Sequence, residues 1–405
     1  MSAAAPLGRV APRILVAPDK FKGSLTAAQA AAALGRGLRR RLPDASVVEH
    51  PIADGGEGSV DMVLGHGFRP VVCQVRGPLG DPVRATYALD GETAFVEMAA
   101  AAGLGLLPGG TPDDSTARTA STYGVGELIR DALDRGARRI VLAVGGSATT
   151  DGGAGLAAAL GAGLRTASGP LPAEGGAGLL DVERLDLAGL DARLAEATVV
   201  VACDVDNPLT GPSGAAAVYG PQKGAGTETV ALLDRALERW ADVVAAATGR
   251  DLRDLPGAGA AGGLGFGAAA LLGAEVRPGI DTLLELTGFE RSLAGADLVV
   301  VGEGSLDEQS LHGKGPVGVA AAAARAGARV VAVAGRSTVA ADRLHAVGIE
   351  RVHTLAELEP DAGRSMRHAA DLLETTADRI AAEWLSTPSE SAPPESAPPE
   401  RTPTR

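Results

Sequence analysis

Eight carboxylates stand in short, glycine-crowded loops. Asp19 lies in PDKFKGS, Asp54 and Glu57 in ADGGEG, and Asp151 in GGSATTDGGAG. Asp204 and Asp206 lie in CDVDNP, and Glu303 and Asp307 in GEGSLDEQSLHGKG. The same loops carry Lys20, Lys22, Ser24, Asn207, His312 and Lys314. One loop carboxylate is ordinarily a cap or a solvated turn. A set of them beside ammonium groups matches the needs of phosphoryl transfer. Mg²⁺ takes one or two carboxylates and fills its shell with water and phosphate oxygens. A further carboxylate can accept the proton of an attacking hydroxyl, and cations balance the charge that spreads over the moving group.

Lysine is scarce: of 37 Lys and Arg, only Lys20, Lys22, Lys223 and Lys314 are Lys. A chain that uses Arg wherever a solvated charge suffices retains Lys where a compact ammonium is wanted. That argument favours a functional role for Lys20, Lys22 and Lys314 and leaves Lys223 evenly balanced between surface and site. The run Gly145–Gly155 is the best phosphate cradle, through Gly145, Gly146, Ser147, Thr149, Asp151, Gly152 and Gly153. Its glycines bring backbone N–H groups close to an anion, and the helical run LAAALGAGL follows at once. The loop PGAGAAGGLGFG spaces Gly257, Gly259 and Gly262 as G-x-G-x-x-G. No strand precedes it, so it reads as a hinge or a second backbone anion site at Gly259 and Gly262 rather than a dinucleotide fingerprint. No G-x-x-x-x-G-K-[ST], G-x-S-x-G or H-E-x-x-H occurs. A P-loop enzyme, an α/β-hydrolase and a zincin are therefore not expected.

The elements that must position these loops alternate strand and helix. Ile14–Ala17 and Val47–Pro51 are strands before PDKFKGS and ADGGEG, with a helix from an N-cap at Ser24 and another from Ser59. From Val71 three β-runs separated by PLGDP and DGE read as antiparallel strands. A helix at Tyr123–Asp134 and strands at Arg139–Val144 and Thr198–Ala202 follow, then a helix near residues 228–247. Strands at Asp297–Val301, Arg329–Val333 and Arg351–His353 restore the βα rhythm, with a last helix near residues 364–385. This is an α/β chain: a discontinuous, five-stranded, doubly wound parallel sheet over 14–69 plus 291–385, with an inserted mixed α/β domain over 70–290. The SAPPE-repeat tail, 386–405, reads as disordered.

Composition removes other classes. Net charge is −13 and aromatic residues are 2% of the 405 residues, so nucleic acid is not an expected partner. Cys73 and Cys203 have no ligand-spaced neighbours, so neither a disulfide framework nor a zinc site is expected. The N-terminus lacks a signal-like apolar core, and no apolar run is long enough to span a membrane, so a cytoplasmic location is expected.

Taken together, the segments Ala17–Ala27, Pro51–Gly58, Gly145–Gly155, Cys203–Ala225, Gly257–Gly267 and Gly302–Ala320 resemble the bacterial glycerate kinase type-1 family, from about Ile14 to about Leu385. Lys20 stands where many members carry Ser, and Thr150 where many carry Asn, so Lys22 ranks above Lys20. The resemblance implies a flavodoxin-like domain joined to a restriction-enzyme-like one, and ATP-dependent phosphorylation of D-glycerate to 2-phosphoglycerate or 3-phosphoglycerate. On that reading Lys22 and Lys314 bind the glycerate carboxylate or the moving phosphate. Asp204 or Asp206 is the general base or a Mg²⁺ ligand, Glu303 and Asp307 compete for the metal, and Gly145–Asp151 holds the ATP phosphates. Asp19, Lys20, Ser24, Asp54, Gly55, Gly56, Glu57, Asn207 and His312 complete the substrate site. A kinase for a related hydroxy acid, or a metabolite-binding protein on the same scaffold, stays open at this point, as does a homodimer.

Overall fold

Ile14–Ala17 is apolar and fully buried, and it forms the middle of the strand Arg13–Pro18. A computed structural model describes residues 11–53, 55–56, 58–171, 175–308, 310–311 and 315–386. In it five parallel strands lie in the order Arg351–Thr354, Arg329–Ser337, Leu298–Leu306, Arg13–Pro18, Ser46–Glu49. Numbered within this sheet, that is the flavodoxin-like order 2-1-3-4-5, whose ligand crevice lies at the carboxyl ends of strands 1 and 3. Both faces are covered, as parallel sheets require. Leu15, Ala17, Val299 and Val301 enter one core, and Ile14, Val16, Leu298 and Val300 the other.

The mixed sheet runs Glu275–Arg277, Thr198–Ala202, Arg139–Ala143, Thr93–Glu97, Pro82–Asp90, Arg69–Arg76. Its first four strands are parallel and the last two antiparallel, as the turn sequences suggested. The helix Ser59–Gly65 packs on this sheet, its Val60 and Val63 against Phe95 and Val141. The helix Gly279–Leu286 reaches both bodies: Ile280 joins the core on the five-stranded sheet, and Leu283 the core under Ser59–Gly65.

Several local expectations change. The first long helix, Ala27–Arg41, is capped by Thr26 in a capping box with Gln29. Ser24 instead donates its hydroxyl to the Phe21 carbonyl at 3.0 Å, inside the preceding turn. The segment Gly302–Leu306, expected as loop, continues its strand because Arg329–Ser337 runs on beside it, pairing Glu303 with Ala334 and Ser305 with Arg336. The glycine-rich stretch after Gly257 is not a loop but the bent start of the helix Ala260–Leu271, with Ala261, Gly262 and Gly263 at φ 51°, 71° and 91°. The final helix breaks at His368 into Ala362–Arg367 and Ala369–Ser386. A small sheet of Gly163–Thr166, Gly169–Pro170 and Arg184–Asp186 was not anticipated. Among the described residues no helix is long and apolar enough to cross a membrane. The tail from residue 387 lies outside the described residues.

Candidate active site

Arg139–Ala143 and Thr198–Ala202 are neighbouring parallel strands, so the turns after their carboxyl ends emerge side by side. Gly145, Gly146 and Ser147 come from the first, and Cys203, Asp204 and Val205 from the second. With Gly55, Gly56, Leu104, Tyr219, Gln222, Lys223, Ala260 and Ala261, they enclose a cavity of about 220 Å³. Gly55 and Gly56 arrive from the turn after the five-stranded sheet. The approach is backbone to backbone: a Cβ on Gly145 would stand 2.8 Å from the Gly56 Cα. Drug-sized ligands usually occupy ~300–1,000 Å³, so this cavity suits a smaller molecule.

Asp204 faces the cavity, and its Oδ1 accepts the Gly279 N–H at 2.8 Å. Asp206 is exposed and contributes nothing to the lining. Asn207 acts on the wall: its Oδ1 accepts the Tyr219 hydroxyl at 2.6 Å, and its Nδ2 donates to the Ser213 carbonyl at 2.8 Å. Burial pushes the Tyr219 phenol above its ordinary pKa and the Cys203 thiol up to about 11. Neither is therefore a ready nucleophile at neutral pH.

Of the run Gly145–Gly155, expected as a phosphate cradle, only Gly145, Gly146 and Ser147 line the cavity. Asp151 is fully buried, and its Oδ2 accepts the Thr122 N–H at 2.8 Å and the Thr122 hydroxyl at 2.9 Å. Its Oδ1 accepts the Gly153 N–H at 3.2 Å. Burial still pushes its pKa above the usual carboxylate range, against those donors. Gly152 donates to the Gly262 carbonyl at 3.0 Å and accepts the Trp240 indole N–H at 3.0 Å, while Gly259 donates to the Asn207 carbonyl at 2.9 Å. Thr149, Asp151, Gly152, Gly153, Gly259 and Gly262 thus form the packed wall behind the cavity. The cause is close backbone approach: a Cβ on Gly262 would stand 1.9 Å from the Thr149 carbonyl oxygen.

A second cluster forms where strands 1 and 3 of the five-stranded sheet end. Asp19 is buried, its N–H bonded to the Gly302 carbonyl at 2.7 Å and its Oδ1 accepting the Lys20 N–H at 2.6 Å. Glu303 follows Gly302 on the adjacent strand, and a Cβ on Gly304 would stand 3.2 Å from the backbone nitrogen of Lys22. Lys22 is exposed. Asp307 begins the turn beyond, where its N–H meets the Ser310 hydroxyl at 3.3 Å. Glu303 and Asp307 supply hard oxygen donors of the kind Mg²⁺ selects. Among the described residues no three His, Cys, Asp or Glu converge as a ready-made metal cage. Asp54, Glu57, His312 and Lys314 lie outside the described residues.

One residue, Glu97, was not identified from the sequence, and a second, Lys223, was left undecided by it. Glu97, at the end of Thr93–Glu97, accepts the Val60 N–H at 2.7 Å and so holds the start of the helix Ser59–Gly65. Burial pushes its pKa up, while the Val60 and Ser59 N–H groups and the Lys20 charge pull it down. Its only sequence signal is a carboxylate ending a β-run. Lys223, evenly balanced between surface and site on sequence grounds, is 1% exposed and lines the cavity.

Residues 14–385 match the model of the glycerate kinase family. The chain belongs to the glycerate kinase family. It is 44% identical to a glycerate kinase of Bacillus subtilis (strain 168) over 373 residues, 91% of this chain and 97% of that relative. It is 42% identical to a glycerate 2-kinase of Escherichia coli (strain K12), over 91% of this chain and 97% of the relative. The crystal structure of a protein described as glycerate kinase 2 from Salmonella typhimurium LT2 superposes with a TM-score of 0.82 at 44% identity, covering 93% of this chain and 99% of the other. Glycerate kinases are ATP-dependent phosphotransferases, and the two-sheet architecture is the one this family member shares with that structure.

Proposed function

We propose that the protein transfers the γ-phosphoryl group of ATP to the 2-hydroxyl of D-glycerate. The observation that carries this reading is the 220 Å³ cavity itself, small, lined by Asp204, and bounded by turns from both sheets. The 2-position follows the E. coli relative, a glycerate 2-kinase.

In this reading D-glycerate lies in the cavity, and Asp204 receives the proton of its hydroxyl. The Gly279 N–H stabilises the Asp204 carboxylate and fixes its direction. The backbone of Gly145–Ser147 borders the nucleotide phosphates. Lys22, and Lys314 with it, neutralises charge on the transferred group. Glu303 and Asp307 would hold Mg²⁺, which when bound screens the phosphate oxygens. Asp19 orders the turn that carries Lys20 and Lys22. The chain divides at about residues 69 and 291, with the helix Ser59–Gly65 at the seam. Approach of the two bodies then excludes water, the competing phosphoryl acceptor.

The test is a coupled ADP assay with D-glycerate, ATP and Mg²⁺, run beside longer hydroxy acids, with the product read by phosphorus NMR. ADP release with D-glycerate and a 2-phosphoglycerate signal are expected. Phosphorylation at the 3-position would correct the regiochemistry. Absence of D-glycerate-dependent ADP release would remove the reading.

A further inference from the structure

Lys223 closes the short turn Pro221–Lys223 and sends its side chain inward. Its Nζ donates to the Thr149 carbonyl oxygen at 2.6 Å. An ammonium carries three donors, and among the described residues this is its single hydrogen bond. The nearest carboxylate in electrostatic terms is Asp151, but that group is already occupied by Thr122, Gly153 and Gly155. Lys223 makes no ion pair among the described residues, and an ammonium buried on one neutral acceptor is unfavourable. Burial accordingly drives its pKa down to about 7, with Asp151 only partly opposing.

Lys223 lines the cavity, so an occupant of that cavity is the group that could meet the donors Thr149 leaves unused. An anion there would restore the full charge of the ammonium. Asp204 lines the same cavity, so an occupant meets a cation and a proton acceptor in one small space. The volume, about 220 Å³, fits a three-carbon acid and not a nucleoside triphosphate. Lys22, by contrast, is exposed on the other sheet. A mobile lysine at the rim suits a moving phosphate, and a buried one suits a fixed anchor.

We propose that Lys223 is the anchor for the carboxylate of the small hydroxy-acid substrate, which then directs its hydroxyl toward Asp204. This deepens the reading of the same site and rests on it. Lys223 would thus set specificity for an α-hydroxy acid over a neutral polyol, and Lys22 and Lys314 would be left to the phosphoryl group.

The experiment is calorimetric binding of D-glycerate to the full chain, without nucleotide, for wild type and Lys223→Met. Met keeps the length and removes the charge. The variant should bind D-glycerate at least ~30-fold more weakly, as for loss of one partner of a buried charge pair. A non-hydrolysable ATP analogue should bind both proteins within ~3-fold, since the nucleotide makes no use of this anchor in the proposal. Wild type supplies an independent readout if the variant fails to fold. At pH 8 D-glycerate binding should take up close to one proton, seen as a buffer-dependent binding enthalpy, because the anion raises the pKa of an amine that is partly neutral when free. The other groups facing Lys223 are Asp151 behind it and Asp204, Cys203 and Tyr219 around the cavity. Proton uptake that persists in Lys223→Met would move the effect to one of them and overturn the proposal. So would unchanged D-glycerate affinity, or weakening confined to the nucleotide analogue. If wild type binds no D-glycerate at all, the substrate reading itself fails; if wild type and variant bind it equally, only the assignment of Lys223 fails.

Discussion

Asp204 and Asp206 are two residues apart and chemically alike, yet the fold gives them different surroundings. Asp204 is held by the Gly279 N–H against the cavity, and Asp206 is left in solvent. Asp204→Asn should therefore lower kcat by ~10²–10⁴-fold, the usual contribution of a general base, while the amide oxygen keeps the Gly279 contact and the fold. Asp206→Asn should stay within ~3-fold of wild type. Steady-state kinetics of the pair, with circular dichroism to confirm folding, checks this; equal losses in both would remove Asp204 from its assigned role. Lys22→Ala should lower kcat/KM at least ~100-fold, as expected for a cation opposite developing charge. Near-normal kcat/KM in that variant would place Lys22 outside the reaction.

At the scale of elements, the site depends on glycines that let backbones touch. Strands Leu298–Leu306 and Arg329–Ser337 continue together past Gly302, and this carries Glu303 onto a rigid strand. A Cβ on Gly335 would lie 2.4 Å from the Gly304 carbonyl oxygen. Gly335→Ala should destabilise the protein by ~1–3 kcal/mol, because a methyl group is forced into a filled space. It should also lower kcat, because Glu303 and Gly304 must shift with the strand. Chemical denaturation and kinetics of the one variant test both parts. A denaturation midpoint equal to wild type would show that the two strands tolerate separation.

At the scale of the whole molecule, a histidine pair lies between the end of the five-stranded sheet and the helix Ser59–Gly65. His50 is buried beyond the strand Ser46–Glu49, with Nδ1 2.9 Å from the Ser292 hydroxyl and Nε2 3.0 Å from the Thr287 hydroxyl. Its ring centre lies 4.2 Å from that of His66, which ends the helix Ser59–Gly65. Burial, with some repulsion from His66, lowers the His50 pKa to about 3. Between about pH 6.5 and about 3 the unfolded chain therefore binds a proton at His50 that the folded chain refuses. Stability from this group is complete above pH 6.5 and declines as pH falls through that window, by up to ~1.4 kcal/mol per pH unit. Urea midpoints of wild type and His50→Gln at pH 7, 6, 5 and 4 check the sign. The variant should start lower at pH 7 and lose less on acidification; parallel curves would show that His50 does not carry the effect.

The amino-acid sequence by itself determined most strands of the two large sheets, apart from their exact ends, and which loops are candidates for chemistry. Apolar runs such as Ile14–Ala17 and Thr198–Ala202 have few alternatives, and a Gly-Asp-Lys turn cannot be buried without partners. The same motifs carried the resemblance to the family. Only the tertiary structure decided which loop residues face one another. GGSATTDGGAG reads as one cradle, but close packing on Gly262 and Trp240 turns its second half into a wall and buries Asp151. GEGSL reads as loop because its glycines weaken local strand preference, and pairing with residues far along the chain outweighs that. Lys223 reads equally well as a surface or a site residue. Its burial depends on Thr149, 74 residues away, and on a cavity whose walls come from both sheets. Local pattern specifies an element through contacts a few residues apart. A site made by the ends of separated strands is specified by contacts that no short stretch contains.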